Sequence, residues 1–300
     1  RKERWSQPPA SRFVTYDARA LQPLRSRHPR RLGARDDVCV ARFALSCDGV
    51  LPLMIDQIKL GERMHHALAK MSDGKAAPRL LGIRDGAPVE SEGHAYLLPC
   101  CEVAQGRDRD RVTHLHVALR EGAFSRADLD AITRVTTLSP PRWRRDHESP
   151  VQLVLEALWT RADLPRVRPL PPSLGVGVRW RSVTPVVLQR HPKVRGDGSP
   201  KLSASTGLWK DGPEDQVVRY LRQLGLPAPV EVVQVGPNDA GDVRAWQRFR
   251  RHRETRKNSR DPKLGFRGFG FEVTFPHPVQ GPIAVGYSAH LGLGQFEPIE

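Results

Sequence analysis

The 300 residues, 39% of them hydrophobic, suffice for one large domain or two of ordinary size. The formal net charge is +15, and no run of about eighteen apolar residues occurs, which excludes a membrane-spanning helix. The charge is concentrated in residues 1–35 and 244–267, each netting +8 on a near-neutral remainder, which favours a polyanionic partner; neither segment has the amphipathic, aromatic face of a membrane binder.

Residues 1–37 mix Pro8-Pro9, Pro23 and Pro29 with arginines and show no sustained period. A basic linker or arm is expected there, whose Arg25 to Arg31 run either touches phosphates or trails as a solvated tail. No signal peptide is legible, and the chain opens on Arg1 rather than Met. Val38 to Leu45 predicts a strand. Leu53 to Met71 predicts an amphipathic helix: at about 100° per residue Leu53, Leu60, Met64, Ala67, Leu68 and Met71 share one face. His65 lies at the edge of that face, His66 points away, and Asp73-Gly74 ends the helix. Strands are predicted at Arg79–Ile83, His94–Pro99 and Val112–Leu119, with the loop Gly106–Arg111 between the last two. Ser125, with Asp128 where a capping box usually has Glu, opens a helix over Arg126–Leu138.

Pro140-Pro141 breaks the chain. Residues 151–160 read equally as helix or strand. Val178–Leu188 contains an alternating strand kinked at Thr184-Pro185, and Lys193–Gly207 is a polar loop. A helix over Glu214–Leu224 closes at Gly225, and Val230–Val235 is a strand. Gly268–Phe275 is another, followed by a closing hairpin. The expected fold is α+β: a first ferredoxin-like (RNA-recognition-motif-like) half at 38–140 and a second at 151–300, carrying the basic segment 244–267 and a glycine-rich loop at 281–298. Cys39, Cys47, Cys100 and Cys101 lack C-x-x-C spacing, and a bridge between the last two would be strained, so free thiols in a reducing cytoplasm are expected.

The closing stretch combines β-type residues with Gly286, Gly292, Gly294 and His290. Alternating Gly292 and Gly294 suit a loop whose N–H groups face a phosphate; the alternative is a hairpin whose glycines serve tight turns. Upstream, Arg250, Arg251, Arg253, Arg256, Lys257, Arg260, Lys263 and Arg267 are too dense to pair with Glu254 and Asp261. They are expected to grip RNA backbone phosphates. Trp246 and Phe249 either anchor this arm to the core or stack on a base.

Several patches resemble the CRISPR repeat-processing endoribonucleases, the Cas-six branch of the repeat-associated RNA-binding superfamily. They are Thr184-Pro185 with Arg190-His191-Pro192-Lys193, the helix from Asp211 to Pro227, and Gly281-Pro282 with Gly286 through Phe296. In the first half Gly93-His94-Ala95 and Thr113-His114-Leu115, followed by Gly122 and Phe124, also match. More narrowly the chain resembles, over roughly residues 38–300, the Cas-six half of the fused Cas-five/Cas-six subunit of type I-G (formerly I-U) Cascade, whose Cas-five half would precede Arg1. The resemblance implies cleavage of CRISPR repeat RNA without a metal or other cofactor. The 2′-hydroxyl attacks the phosphate, leaving a 2′,3′-cyclic phosphate. It also implies retention of the 3′ handle beside other Cascade subunits, with target DNA reached only through the complex and no membrane contact.

Such chemistry needs a base, an acid and a cation, and histidine suits the first two because it titrates near neutrality. The family pattern leaves the catalytic histidine open. His65 and His66 are the first candidates, because the first helix commonly carries it in this family. His94, His114 and His290 follow, each with a structural or RNA-ordering role as the alternative. Tyr287 orients a phosphate, stacks on a base or fills the core. His114 and His116, two residues apart, make no metal site without further ligands, and no carboxylates cluster in the sequence. A non-catalytic RNA-binding subunit, or a basic protein of another ribonucleoprotein, would share the charge pattern but not the histidine-dependent cut.

Overall fold

The computed structural model describes residues 37–73, 78–84, 87–88, 93–102, 110–142, 148–236, 243–254 and 267–300. The arm 1–36, most of the Gly106–Arg111 loop, Gly74, and Arg256, Lys257, Arg260 and Lys263 lie outside these residues. No described helix is long and apolar enough to cross a membrane.

The first half is built on β1 (Val38–Ser46), which is followed by a 3-10 turn and α1 (Gln57–Met71). Leu60, Met64 and Leu68 of α1 are buried as the helical period requires, and His66 is exposed. Asp73, in the left-handed region at φ 49°, ends the helix region. The strand expected at 79–83 is instead a short helix, α2 (Pro78–Leu81), opened by proline at its first position. It leads into the small pair β2 (Ile83–Arg84) and β3 (Ala87–Pro88). β4 (Tyr96–Cys100), β5 (His114–Ala118), α3 (Arg126–Arg134) and β6 (Thr137–Leu138) follow. Ser125 and Asp128 complete a capping box, each side chain accepting from the other's backbone N–H, so Asp serves as Glu would. The ambiguous 151–160 stretch is a strand, β7 (Val151–Thr160), and it pairs with β1. The first half therefore extends to Thr160, and the boundary expected between 140 and 151 falls inside one sheet.

The first sheet runs β4-β5-β1-β7-β6. Along β5 the faces alternate: Leu115 and Val117 join α1 and α3 in the core, while His114 and His116 point to the other face. The second half comprises β8 (Val176–Ser182), β9 (Val186–Val187), α4 (Pro213–Gln223), β10 (Glu231–Val235), β11 (Gly268–Gln280), β12 (Ile283–Ala284) and β13 (Gln295–Ile299). Its sheet runs β10-β11-β8-β13-β12. Leaving aside the short edge strands, both sheets take the sequence order second, third, first, fourth. In the first half a helix, α3, joins the third and fourth strands. In the second, the described connection is only β12 and a 3-10 turn over Ala289–Leu291.

The halves exchange core residues. Tyr96 and Leu98 of β4 pack with Trp180, Phe271 and Leu221 of the second core, while Leu291 and Leu293 of the closing loop enter the first. A fully buried leucine or phenylalanine is worth about 1.5–3 kcal/mol, so this exchange locks the seam. Polar ties reinforce it: Arg120 donates to the carbonyls of Leu224 (3.2 Å), Gln280 (3.0 Å) and Pro282 (3.3 Å), and Gln295 donates to Pro99 O at 3.2 Å.

Candidate active site

The seam gathers histidines from three separate elements. His65 comes from α1, His94 precedes β4, and His290 sits in the 3-10 turn of the closing loop. Ring centres are 4.8 Å apart for His94 and His290 and 6.4 Å for His65 and His290. Glycines allow these approaches. A Cβ on Gly61, one helical turn before His65, would stand 2.2 Å from Leu291 O, so only glycine lets the closing loop lie on α1. Gly82, at φ +65°, accepts the His94 ring, which a Cβ would meet at 3.0 Å.

Among its described residues the basic segment brings Arg253 to this cluster. Arg253 Nη2 lies 3.3 Å from His290 Nε2, and its Nε donates to Ser288 Oγ at 3.3 Å. A guanidinium only donates, so Nε2 of His290 is the unprotonated nitrogen. The segment is fixed from below. Arg63 of α1 is buried and grips both oxygens of Glu254 at 2.9 and 3.1 Å, and also binds Glu148. The Glu254 N–H donates to Glu62, and the Arg250 N–H donates to Ile55 O at 2.7 Å. Trp246 is the anchor of the arm: its ring is buried against Gly270, and its indole N–H donates to Val235 O at 2.7 Å.

Burial, together with His94, Arg253 and His65, holds His290 well below the ordinary histidine range. His65 is lowered chiefly by burial, although its Nε2 contact with Leu81 O at 3.0 Å works the other way. His65 and His290 are thus held toward the neutral form beside a fixed cation. A cavity of about 310 Å³ opens on it, lined by His94, Arg253, Tyr287 and His290 of the cluster and by Gln189, Tyr96 and Tyr220. This is large enough for a nucleotide-sized group.

The expected residues therefore divide. His94 and His290 face the cavity. His65 stands behind His290 with its ring tied to Leu81 O, which suits it to positioning. His66 is exposed and lies beside His65 only. His114 belongs to a different cluster, on the sheet face, with Arg42, Glu102 and Glu156. Gly286 and Tyr287 line the cavity, but Gly292 and Gly294 do not cradle an anion. Their N–H groups donate to Ala289 O at 3.0 Å and Pro185 O at 2.9 Å. Cβ atoms there would meet Gln57 Oε1 at 2.3 Å and Val285 O at 1.9 Å. They serve a tight, buried turn. Among the described arginines of the basic segment, Arg253 lines the cavity. Arg251 donates to Gln247, Arg250 Nε donates to His252 O at 3.2 Å, and Arg267 is exposed. Sequence reasoning missed Gly61, Gly82, Gln189 and Tyr220. An isolated glycine inside an amphipathic helix was the one available signal, since it costs about 1 kcal/mol there and needs a packing reason.

No family model matches the chain, and no curated protein matches it. Among solved structures, a RAMP protein binding different RNA substrates is similar over 88% of this chain and 100% of that one, at 12% identity and a TM-score of 0.42. The product of a Cas6-related gene from Pyrococcus furiosus is similar over 88% of this chain and 99% of that one, at 12% identity and a TM-score of 0.39. Likenesses this slight carry no argument about activity.

Proposed function

We propose that this chain is an endoribonuclease of the Cas-six type that cleaves CRISPR repeat RNA without a metal ion in the chemistry. It then holds the 3′ handle of the product as a subunit of a type I-G Cascade. The observation that carries the reading is the convergence of His94, His290 and Arg253 on one cavity at the seam. The repeated strand order is then that of two ferredoxin-like halves.

In this reading Arg253 binds the scissile phosphate, and so leaves Nε2 of His290 open to take the proton of the 2′-hydroxyl. The 2′-oxygen forms a bond to phosphorus, the bond to the 5′-oxygen breaks, and that oxygen leaves with its electron pair. His94, in its protonated form, supplies the proton it needs. Arg253 stabilises the extra negative charge of the phosphorane. His65 holds the His290 ring, and Tyr287 and Tyr220 offer flat faces to a flanking base. Arg250, Arg251 and Arg267, with Arg256, Lys257, Arg260 and Lys263, supply salt-dependent contact to the repeat backbone.

The test is a brief incubation of the purified chain with a labelled repeat hairpin in EDTA, followed by analysis of the product ends. A single cut leaving a 2′,3′-cyclic phosphate and a 5′-hydroxyl is expected. Tight binding without any cut would instead identify a non-catalytic RNA-binding subunit.

A further inference from the structure

The cluster on the first sheet has no part in that chemistry. β4 ends on Cys100, Glu102 follows two residues later, and the neighbouring β5 carries His116, which is 0% exposed. Cys100 Sγ lies 3.7 Å from Glu102 Oε1 and 3.6 Å from His116 Nδ1, and His116 Nε2 lies 3.2 Å from the same Glu102 oxygen. Donor atoms around one tetrahedral ion, with bonds of about 2.0–2.3 Å, stand roughly 3.3–3.8 Å apart. The two short contacts of His116 use different ring nitrogens, but one donor atom from each of Cys100, Glu102 and His116 lies within 4.8 Å of the others, so a modest side-chain adjustment brings three donors around one ion. His116 Nε2 is buried and meets only this carboxylate oxygen of Glu102 among the described side chains.

We propose that Cys100, Glu102 and His116 bind a borderline-soft divalent cation of the Zn²⁺ type, which cross-links β4 to β5. The surroundings suit it. Arg42 donates to both oxygens of Glu102, through Nη2 to Oε2 and more distantly through Nε to Oε1 at 3.4 Å; it also pairs with Glu156 at 2.7 Å, and its Nη2 lies 3.0 Å from His114 Nε2. Outer partners of this kind orient a ligating carboxylate. A bound divalent ion deprotonates the thiol. The Cys100 thiolate, Glu102 and Glu156 then balance Arg42 and the ion to zero. Glu297 of β13 also senses the Glu102 charge. No step of the RNA cleavage passes through this site, so the two stand or fall separately.

To test it, the purified chain is stripped with a chelator, titrated with Co²⁺ and then Zn²⁺, and assayed for metal after dialysis. About one ion per chain is expected, with a near-ultraviolet sulfur-to-cobalt absorption that Zn²⁺ abolishes by displacement. Cys100→Ser and His116→Asn should lose stoichiometric binding, whereas Cys47→Ser and Cys101→Ser should keep it. The cobalt band of the unaltered chain reports thiolate ligation without relying on any variant to fold. A chain that retains no metal, a cobalt complex without the sulfur band, or a Cys100→Ser variant that binds like the parent would each overturn the site.

Discussion

Histidines gather in two places in this molecule, and their neighbours set them to different work. At the seam His65, His94 and His290 stand among one another and beside Arg253, and no carboxylate figures among the causes that shift His65 or His290. On the first sheet His114 and His116 lie against Glu102. Burial works against ionisation of that carboxyl, yet contacts from His116 and Arg42 hold it at about 2. Glu102 and Glu156 pull the His114 imidazole toward its charged form, but burial and Arg42 outweigh them and lower it, so what separates the two places is the carboxylates and not the direction of the histidine shift. At the seam His65 and His290 are held toward the neutral form next to a fixed cation; the sheet holds an ion-paired, enclosed set of polar groups. Residue type alone does not separate the two.

The largest effect expected is on the chemistry. His290→Ala should slow single-turnover cleavage by about 10²–10⁴-fold while RNA affinity, read by filter binding, stays near that of the parent. His114→Ala should leave the rate unchanged. Equal losses in the two variants would erase the distinction between the clusters.

Next in size is the support beneath Arg253. Arg63→Ala leaves Glu254 buried without its cation, and breaking such a pair costs about 3–5 kcal/mol. Denaturant unfolding should show that loss, with cleavage falling alongside it. Full stability in the variant would mean that Arg63 does not hold the arm.

Gly61→Ala tests the approach of the closing loop to α1. On helix propensity alone the change would stabilise by about 1 kcal/mol. Here the added carbon would stand 2.2 Å from Leu291 O, and backbone must move. A destabilisation of about 1–3 kcal/mol is expected, with a loss of cleavage of about 10²-fold as His290 is displaced. A stabilised, active variant would refute the contact.

The smallest effect is a pH dependence, opposite in sign for Glu297 of β13 and for the seam histidines. Burial, assisted by Glu102, raises Glu297 from 4.5 to about 7. The folded chain holds this proton longer than the unfolded chain does. The contribution to stability is therefore full below 4.5 and is lost as pH rises through 7. Replacing the carboxyl by Glu297→Gln should remove about 1–2 kcal/mol of that loss in thermal unfolding at pH 8. At the seam the lowered His65 and His290 act in reverse: the unfolded chain takes up protons first, so stability falls as pH drops below 6.5. A Glu297→Gln variant whose stability follows the parent at every pH would show that this carboxyl does not titrate as its burial dictates.

Much of the fold was legible because local chemistry and tertiary placement agree. The capping pair Ser125 and Asp128, the face of Leu60, Met64 and Leu68, and the alternation in β5 each belong to one element. They need no distant partner to be read. Where a segment's conformation depends on what pairs with it, the reading stopped. Val151 to Thr160 suits a helix or a strand by composition, and its pairing with β1 decides. Arg79 to Ile83 read as a strand because the helix there, Pro78–Leu81, is too short to show a period.

The sequence by itself determined the charge segregation, the order of most strands and helices, and the short set of histidines from which a site could be drawn. Tertiary structure alone decided which of them meet. His65, His94 and His290 are separated by up to 225 residues, and only the packing of the closing loop on Gly61 brings them together. It likewise decided that Gly292 and Gly294 serve a buried turn, and that Cys100 and Glu102 stand beside His116. The physical reason is that periodicity reports which face of an element is apolar, whereas a site is made by polar groups whose neighbours come from other elements.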